Sequence, residues 1–298
     1  MWILRAFSVI AAGVLVFVAS MRPAEADTVF ASQVVSYNSG TNYPTSWYTG
    51  DLYTTPTAAV GMPSGITGTQ DWWSGPSLIT PFNGPYDTTD LVAIGEGGQL
   101  TLKLAQPAYV KPGLSEVGVF TNATLLDSNW PNGTCTNPAQ ILSDNYANVA
   151  VSQDGTHWVS LGAINLNIPT NYSLNTTGPY VYESTLPANT QVANFGQPFT
   201  GTLSSFNGLN YSQILTLLNG SAGGTWLNLS ATGLGSVQYI QFSVPDAGFD
   251  DGSQTYADIN AISIATGALT PVPEPAPYSL LALGGGLAWL LNRRRRTA

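Results

Sequence analysis

Four aspartates near the C-terminal end of the chain form the densest group of side chains that could do chemistry. Asp246, Asp250 and Asp251 lie in the stretch Asp-Ala-Gly-Phe-Asp-Asp-Gly, and Asp258 follows shortly after it. Carboxylate oxygens gathered in a loop are the ligands that Ca²⁺ prefers. The spacing is not that of an EF-hand, and Asp-Asp-Gly is equally a turn signal. The sequence therefore leaves a calcium site and a solvated turn as two open interpretations, and it suggests no other cofactor.

Side chains suited to catalysis are few and scattered. Glu96, Glu116 and Glu183 lie far apart, without the motif context of a paired-carboxylate site for glycoside hydrolysis. The single histidine, His157, follows a predicted hairpin turn and is most simply an exposed strand residue. The single cysteine, Cys135, cannot form a disulfide within its own chain, and its neighbours predict an inert thiol in a loop. Because the G-x-S-x-G, P-loop and zinc-site motifs are also missing from the sequence, we expect a protein that is not an enzyme.

Aromatic residues are concentrated in a loop-rich region before the clearest strands. Exposed rings of this kind can stack on the faces of sugars, but the same rings also fill the core of a β-sandwich or cover its rim. Both interpretations stay open from the sequence. The residues concerned are Tyr43, Trp47, Tyr48, Tyr53, Trp72 and Trp73.

The composition indicates a β-rich fold with an acidic surface. Only 8% of the 298 residues are charged, whereas 11% are aromatic and the chain has 31 glycines and 20 prolines. Turn formers and strand formers thus outnumber helix formers. Residues 27–270 carry two lysines against fifteen acidic residues, a net charge of -13. We expect no nucleic-acid partner, because almost nothing in this region can neutralise phosphates, whereas a neutral polymer or a divalent cation suits it better.

Alternation of apolar and polar residues predicts several strands with one buried face. The pair Asp154-Gly155 lies between two of these strands and predicts a hairpin turn. One short helix is predicted over Tyr211–Leu218, with Asn210 capping its start and Asn219 ending it. The fold class is therefore all-β, an antiparallel β-sandwich with one short helix in a single domain over residues 27–270. The predicted strands cover residues 29–37, 99–104, 116–121, 148–152, 157–161, 164–168, 237–244 and 259–264.

The N-terminal 26 residues predict a secretory signal peptide. Arg5 precedes an apolar run that extends to residue 19, and an A-x-A site formed by Ala24 and Ala26 follows. This order of a basic start, a short apolar stretch and small residues is typical of a cleaved export signal. The alternative is an N-terminal membrane anchor, for which the apolar run is short. We expect cleavage after Ala26.

The C-terminal segment, residues 271–298, has three parts. Its apolar stretch, residues 278–291, predicts a short transmembrane helix, and the basic end stays on the cytoplasmic side by the positive-inside bias. The proline-rich spacer before the apolar stretch includes Val272, Pro273, Glu274 and Pro275. The basic end consists of Arg293, Arg294, Arg295 and Arg296.

These three parts, in this order at the end of an exported chain, resemble the PEP-CTERM sorting signal of Gram-negative bacteria. The same tail is also known as an ice-binding protein C-terminal domain, a label that says nothing about ice binding here. The resemblance implies that an exosortase-type membrane enzyme processes the chain near the Pro-Glu-Pro motif while the inner membrane still anchors it. Delivery to the cell surface or to an extracellular polysaccharide matrix would follow.

Five stretches of the body resemble a β-sandwich family that occurs in many PEP-CTERM proteins and is related to galactose-binding-like, jelly-roll domains. They cover residues 58–65, 97–102, 149–155, 220–226 and 258–262. The family often has a second aspartate where Asn260 stands here, which weakens the transfer of a metal site to this chain. Residues 170–205 match no part of the family and have the composition of a polar insertion. We therefore expect an exported, non-enzymatic surface or matrix protein, with a carbohydrate-binding module for extracellular polysaccharide as the alternative.

Overall fold

The computed structural model describes residues 29–46, 49–68, 75–247 and 256–271 of the chain. Within these ranges the chain forms thirteen β-strands and one α-helix, α1, over Tyr211–Leu218. The strands are β1 Ala31–Asn38, β2 Val92–Ile94, β3 Gln99–Tyr109, β4 Val117–Thr121, β5 Thr124–Leu125, β6 Thr134–Cys135, β7 Ile141–Leu142, β8 Tyr146–Ser152, β9 Trp158–Asn165, β10 Leu209–Asn210, β11 Thr225–Leu227, β12 Ser236–Ser243 and β13 Ala257–Ile264. No helix in these ranges is both long enough and apolar enough to cross a bilayer.

Two antiparallel sheets make up most of the fold. The larger has five strands in the order β1-β3-β12-β8-β9, and the smaller has four in the order β11-β4-β13-β2. Strand β3 shows why the chain folds this way, because Leu100, Leu102 and Leu104 alternate along it and all three are fully buried. Leu102 lies opposite Ile240 of β12, so apolar positions of adjacent strands face the same side. Each buried leucine stabilises the fold by about 2 kcal/mol.

The inner faces of the two sheets share one hydrophobic core, which makes the structure a β-sandwich. Leucines of β3 and valines of β8 pack in the same cluster as Val119 of β4 and Ile262 of β13. The all-β, antiparallel class with one helix is therefore confirmed for the described residues. The predicted signal peptide, with Ala24 and Ala26, and the predicted transmembrane helix of the C-terminal segment lie outside them.

The smaller sheet is covered on its outer face as well. All eight residues of β13 are buried, in contrast to β1, whose outer positions are exposed. Phe120 of β4 packs on this outer side against Phe195, with the ring centroids 4.9 Å apart, and Tyr172 packs against Phe195 from the other direction. Both Tyr172 and Phe195 belong to the segment 170–205. The stretch with a polar composition therefore supplies apolar side chains that form a third layer over the smaller sheet.

Local sequence signals for the helix and for the hairpin are confirmed. The Asn210 side chain accepts a hydrogen bond from the Gln213 backbone amide at 3.0 Å, and Asn219 ends the helix in the left-handed conformation at φ 49°. The hairpin between β8 and β9 turns through Gly155 at φ 79°. The separate strand predicted over residues 164–168 is wrong, because β9 continues through a bulge at Gly162 (φ 82°) and ends at Asn165.

Candidate functional site

The turn between β5 and β6 carries a strongly exposed tryptophan. Trp130 is 69% exposed, more than any other large apolar side chain in the described ranges. Its ring centroid lies 6.4 Å from that of Tyr180, with an interplanar angle of 51°. Tyr182, two residues further along, is 52% exposed. We refer to Trp130, Tyr180 and Tyr182 together as the Trp130 surface.

The Asp127 carboxylate holds the turn in one conformation. Its Oδ1 accepts hydrogen bonds from the backbone amides of Asn129 and Thr134, each at 2.9 Å. Its Oδ2 accepts another at 2.9 Å from the Gly133 amide. Three backbone amides that donate to one carboxylate restrain the turn, because any other conformation would leave these N–H groups without this partner. Trp130 is therefore presented on a rigid loop.

Tyr180 is fixed through the same carboxylate. Its hydroxyl hydrogen-bonds to Asp127, and burial, followed by the charge of Asp127, raises the pKa of Tyr180 well above its ordinary value. The phenol stays neutral and donates its proton to the carboxylate. Because Asp127 thereby accepts from three backbone amides and one phenol, its lone pairs are occupied and it has no spare capacity for general acid or base chemistry.

The Trp130 surface can bind a ligand by stacking. An exposed indole beside a phenol offers a broad apolar face. These aromatic side chains have few rotamers, so they lose little conformational entropy when a ligand binds. The sequence did not single out these residues. The signal that could have done so is the stretch Asp127 to Gly133, in which turn residues surround one tryptophan.

The aromatic residues that the sequence did single out divide into two groups. Tyr53 is buried, and Tyr43 is half-buried with its hydroxyl 3.3 Å from Ser39 Oγ, so for these two the core interpretation holds. The remaining four, Trp47, Tyr48, Trp72 and Trp73, lie outside the described residues.

Asp258 lies deep inside the protein rather than in an exposed loop. It is 2% exposed, its Oδ2 accepts a hydrogen bond from Asn122 Nδ2 at 2.9 Å, and its backbone amide donates to Asn145 Oδ1 at 2.6 Å. Its Oδ1 has no hydrogen-bond partner within the part of the chain that the structure describes. Burial raises the pKa of Asp258 to about 7, and the hydrogen bond from Asn122 offsets part of that rise.

The predicted calcium ligands thus sit in unlike environments. Asp246 is exposed after β12, whereas Asp258 is enclosed; Asp250 and Asp251 lie outside the described residues. In the described ranges no group of three or more His, Cys, Asp or Glu side chains is placed to hold a metal ion. Among the described residues, the side chains that hydrogen-bond to Asp258 are those of Asn122 and Asn145. The calcium site stays a prediction.

Two of the side chains considered for catalysis, those of Glu116 and His157, are engaged in structural contacts. The carboxylate of Glu116 is fully buried and accepts hydrogen bonds from the backbone amides of Lys111 at 2.8 Å and Leu229 at 2.9 Å. His157 pairs with Asp154 across the exposed hairpin turn, at 2.7 Å from Nδ1 to Oδ2. Hydrogen bonding to that carboxylate raises the pKa of His157.

The prediction that Cys135 lies in a loop is wrong. Cys135 ends the short strand β6 and is fully buried in a cluster that also contains Phe82, Phe206 and Ile214. The reason is tertiary, because β10 and α1 close over the turn residues that precede it. Burial raises the pKa of the Cys135 thiol, so it is a poor nucleophile.

Comparisons with known proteins add little about function. No protein family matches the sequence, and no curated protein is significantly similar to it. Among solved structures, the chain is similar to the C-terminal domain of a chitobiase from Bacteroides fragilis, with 11% identity and a TM-score of 0.28. The match covers 83% of this chain and 98% of that domain. An identity and a TM-score this low carry no inference about what this chain binds.

Proposed function

We propose that the protein is an exported, non-enzymatic component of a bacterial cell surface or extracellular matrix, whose β-sandwich binds polysaccharide through the Trp130 surface. The observation that carries the binding role is the 69% exposure of Trp130 on a turn fixed by Asp127. The arrangement of five and four antiparallel strands supports a relation to galactose-binding-like, jelly-roll domains.

The exposure of Trp130 favours a binding role over a structural one. A tryptophan that stabilises a fold does so by removing its large ring from water, and this ring stays mostly in water. The hydrogen bonds at Asp127 order the turn before any ligand arrives. Less entropy is then lost on binding, which is how rigid aromatic side chains gain affinity.

The charge of the protein favours an uncharged polymer. The body of the chain carries a net charge of -13, which repels nucleic acids and strongly acidic polysaccharides. The carboxylate of Asp127 is occupied by internal hydrogen bonds. Stacking on Trp130 and Tyr180 requires no charge on the ligand. An uncharged sugar chain fits these conditions best.

Binding can be measured in native gels cast with soluble polysaccharides. We expect one or more uncharged polymers from a panel of glucans, mannans, galactans, xylans and soluble chitin derivatives to retard the wild-type protein. Double-stranded DNA should not retard it at low salt. Equal migration in every gel, or retardation by DNA alone, would contradict the proposed ligand class.

The sequences of the two ends of the chain support the proposal that the protein is exported and sorted. The sequence of segment 271–298 has the three parts of a PEP-CTERM signal. The motif residues Val272, Pro273, Glu274 and Pro275 lie outside the described residues, and so does the basic end with Arg293, Arg294, Arg295 and Arg296. An exosortase-type enzyme of the inner membrane is the partner that this signal implies.

Intact-mass analysis of the protein released from its native host tests the sorting proposal. We expect loss of residues 1–26 and a cut near Pro273, because both ends carry processing signals. The purified full-length chain gives the reference mass. Surface-located protein that still carries Arg293 to Arg296 would rule out this route.

The calcium hypothesis can be tested separately by thermal unfolding. If Asp250 and Asp251 complete a site with Asp246 and Asp258, calcium at about 100 times its Kd adds roughly 2.7 kcal/mol to the free energy of unfolding. Thermal melts in calcium chloride, in chelator and in sodium chloride of equal ionic strength measure this. Asp250→Asn should then abolish the calcium effect. Equal melting temperatures in calcium and sodium would instead identify a solvated turn.

A further inference from the structure

A cleft opens where both sheets of the sandwich come to an end. Strand β9 is the last strand of the larger sheet and β11 is the last strand of the smaller one. Between them lies a cleft of about 370 Å³. This volume is within the range of small-ligand sites. Its lining residues share no member with the Trp130 surface, and we refer to it as the edge cleft.

The walls of the edge cleft are apolar and held in place. Val159, Leu161 and Ile164 line one side, and Trp226 lines the other. The indole Nε1 of Trp226 donates a hydrogen bond to the Gly223 carbonyl at 2.8 Å, and its ring packs edge-on against Phe120 with the centroids 6.3 Å apart. Trp226 is therefore held in one orientation, with its ring over Gly118 on the outer face of the smaller sheet.

Polar atoms at the edge cleft have unused hydrogen-bonding capacity. The Asn228 side chain donates to the Leu114 carbonyl at 3.0 Å and accepts from the Ser230 amide at 2.9 Å, which leaves one N–H and one lone pair available. A fixed amide with free hydrogen-bonding groups beside apolar walls matches the hydroxyls and the apolar face of a sugar.

The charge of the cleft points to the same class of ligand. None of the described residues that line it is ionisable, although the body of the chain has a net charge of -13. A charged occupant would lose its hydration without gaining a partner of opposite charge. A ligand without hydrogen-bonding groups is disfavoured because it would leave the free groups of Asn228 without partners.

We propose that the edge cleft is a second binding site for uncharged sugar units, and that the two sites allow one molecule to cross-link polysaccharide chains. The cross-linking part rests on the proposed function of the Trp130 surface. The cleft as a binding site does not depend on it. A molecule with two separate sites joins two polymer strands, and binding to one network through both sites strengthens retention.

Isothermal titration with short, uncharged oligosaccharides from the panel above counts the sites. Ala231→Trp fills the cleft from an exposed lining position, and Ala163→Trp adds the same side chain at an exposed position of β9 outside the lining. We expect two sites in the wild type and in Ala163→Trp, and one site in Ala231→Trp. With long polymer, light scattering should rise for the wild type and stay low for Ala231→Trp.

Three outcomes separate the two proposals. Two sites in Ala231→Trp, or one site in the wild type that only Trp130→Ala removes, would overturn the cleft and leave the Trp130 surface intact. If Ala231→Trp loses one site and Trp130→Ala loses no site, the result supports the cleft and overturns the proposed function of Trp130. Binding of the uncharged peptide N-acetyl-Val-Thr-Val-amide to the wild type but not to Ala231→Trp, without a second sugar site, would make the cleft a peptide site and overturn the proposal.

Discussion

Replacing Asp258 by asparagine is expected to raise the free energy of unfolding at pH 8 by up to about 4 kcal/mol. The carboxyl is 2% exposed, one of its oxygens has no partner among the described residues, and burial raises its pKa to about 7 from an ordinary value of 3.8. At pH 8 the folded protein therefore contains a buried carboxylate without a counter-charge. Asparagine has nearly the same shape and can still accept the hydrogen bond from Asn122.

The pH dependence of the wild type follows from the same shift. Below pH 3.8 Asp258 is protonated in both the folded and the unfolded chain and does not affect stability. Between pH 3.8 and about 7 only the folded chain keeps the proton, so its stability falls as the pH rises. Above about pH 7 the fall is complete.

Urea unfolding at several pH values between 5 and 8 measures both effects. Asp90 provides a comparison, because burial and then the nearby Asp87 carboxylate also raise its pKa to about 7. Asp90→Asn should therefore flatten the pH profile by an amount similar to that of Asp258→Asn. An unchanged slope in Asp258→Asn would show that this carboxyl is not desolvated in the folded protein.

Replacing Glu116 by leucine is expected to destabilise the fold by about 2–6 kcal/mol. The Glu116 carboxylate accepts from two backbone amides, those of Lys111 and Leu229, and connects the start of β4 to both loops. Leucine would leave both N–H groups without a partner, each at a cost of about 1–3 kcal/mol. The backbone hydrogen bonds of Glu116 to Leu227 and Ala265 would remain.

Glu116→Gln is the matched control, because its side chain keeps one acceptor oxygen at the same site. We expect it to lose roughly half as much stability as Glu116→Leu in urea unfolding at neutral pH. If the leucine variant were as stable as the wild type, Glu116 would have no structural role and would return as a candidate for chemistry.

The features that could be predicted from the sequence depend on neighbouring residues. Alternation in β3 and the Asp154-Gly155 turn identified the larger sheet, because a half-buried strand needs a period of two. Asn210 and Asn219 identified both ends of α1, because capping is decided within one turn of the helix.

The features that could not be predicted depend on which elements meet in space. Asp258 follows a polar loop in the sequence, but its strand is central in the smaller sheet and a third layer covers that sheet. Cys135 is flanked by turn residues and becomes buried only because β10 pairs with β6 and α1 packs nearby. Trp130 could equally have filled the core, since an aromatic residue in a loop has no periodicity to show which side it faces.

The proposed polysaccharide binding depends most on Trp130, and comparing Trp130→Ala with the wild type in polysaccharide gels tests this role most directly. Removing a central aromatic contact typically costs 2 kcal/mol or more, so we expect affinity for the retarding polymer to fall by about 30-fold. The melting temperature should stay unchanged because the ring is 69% exposed. Trp130→Tyr should keep part of the binding. Full retardation of Trp130→Ala at an unchanged melting temperature would contradict the proposed binding surface.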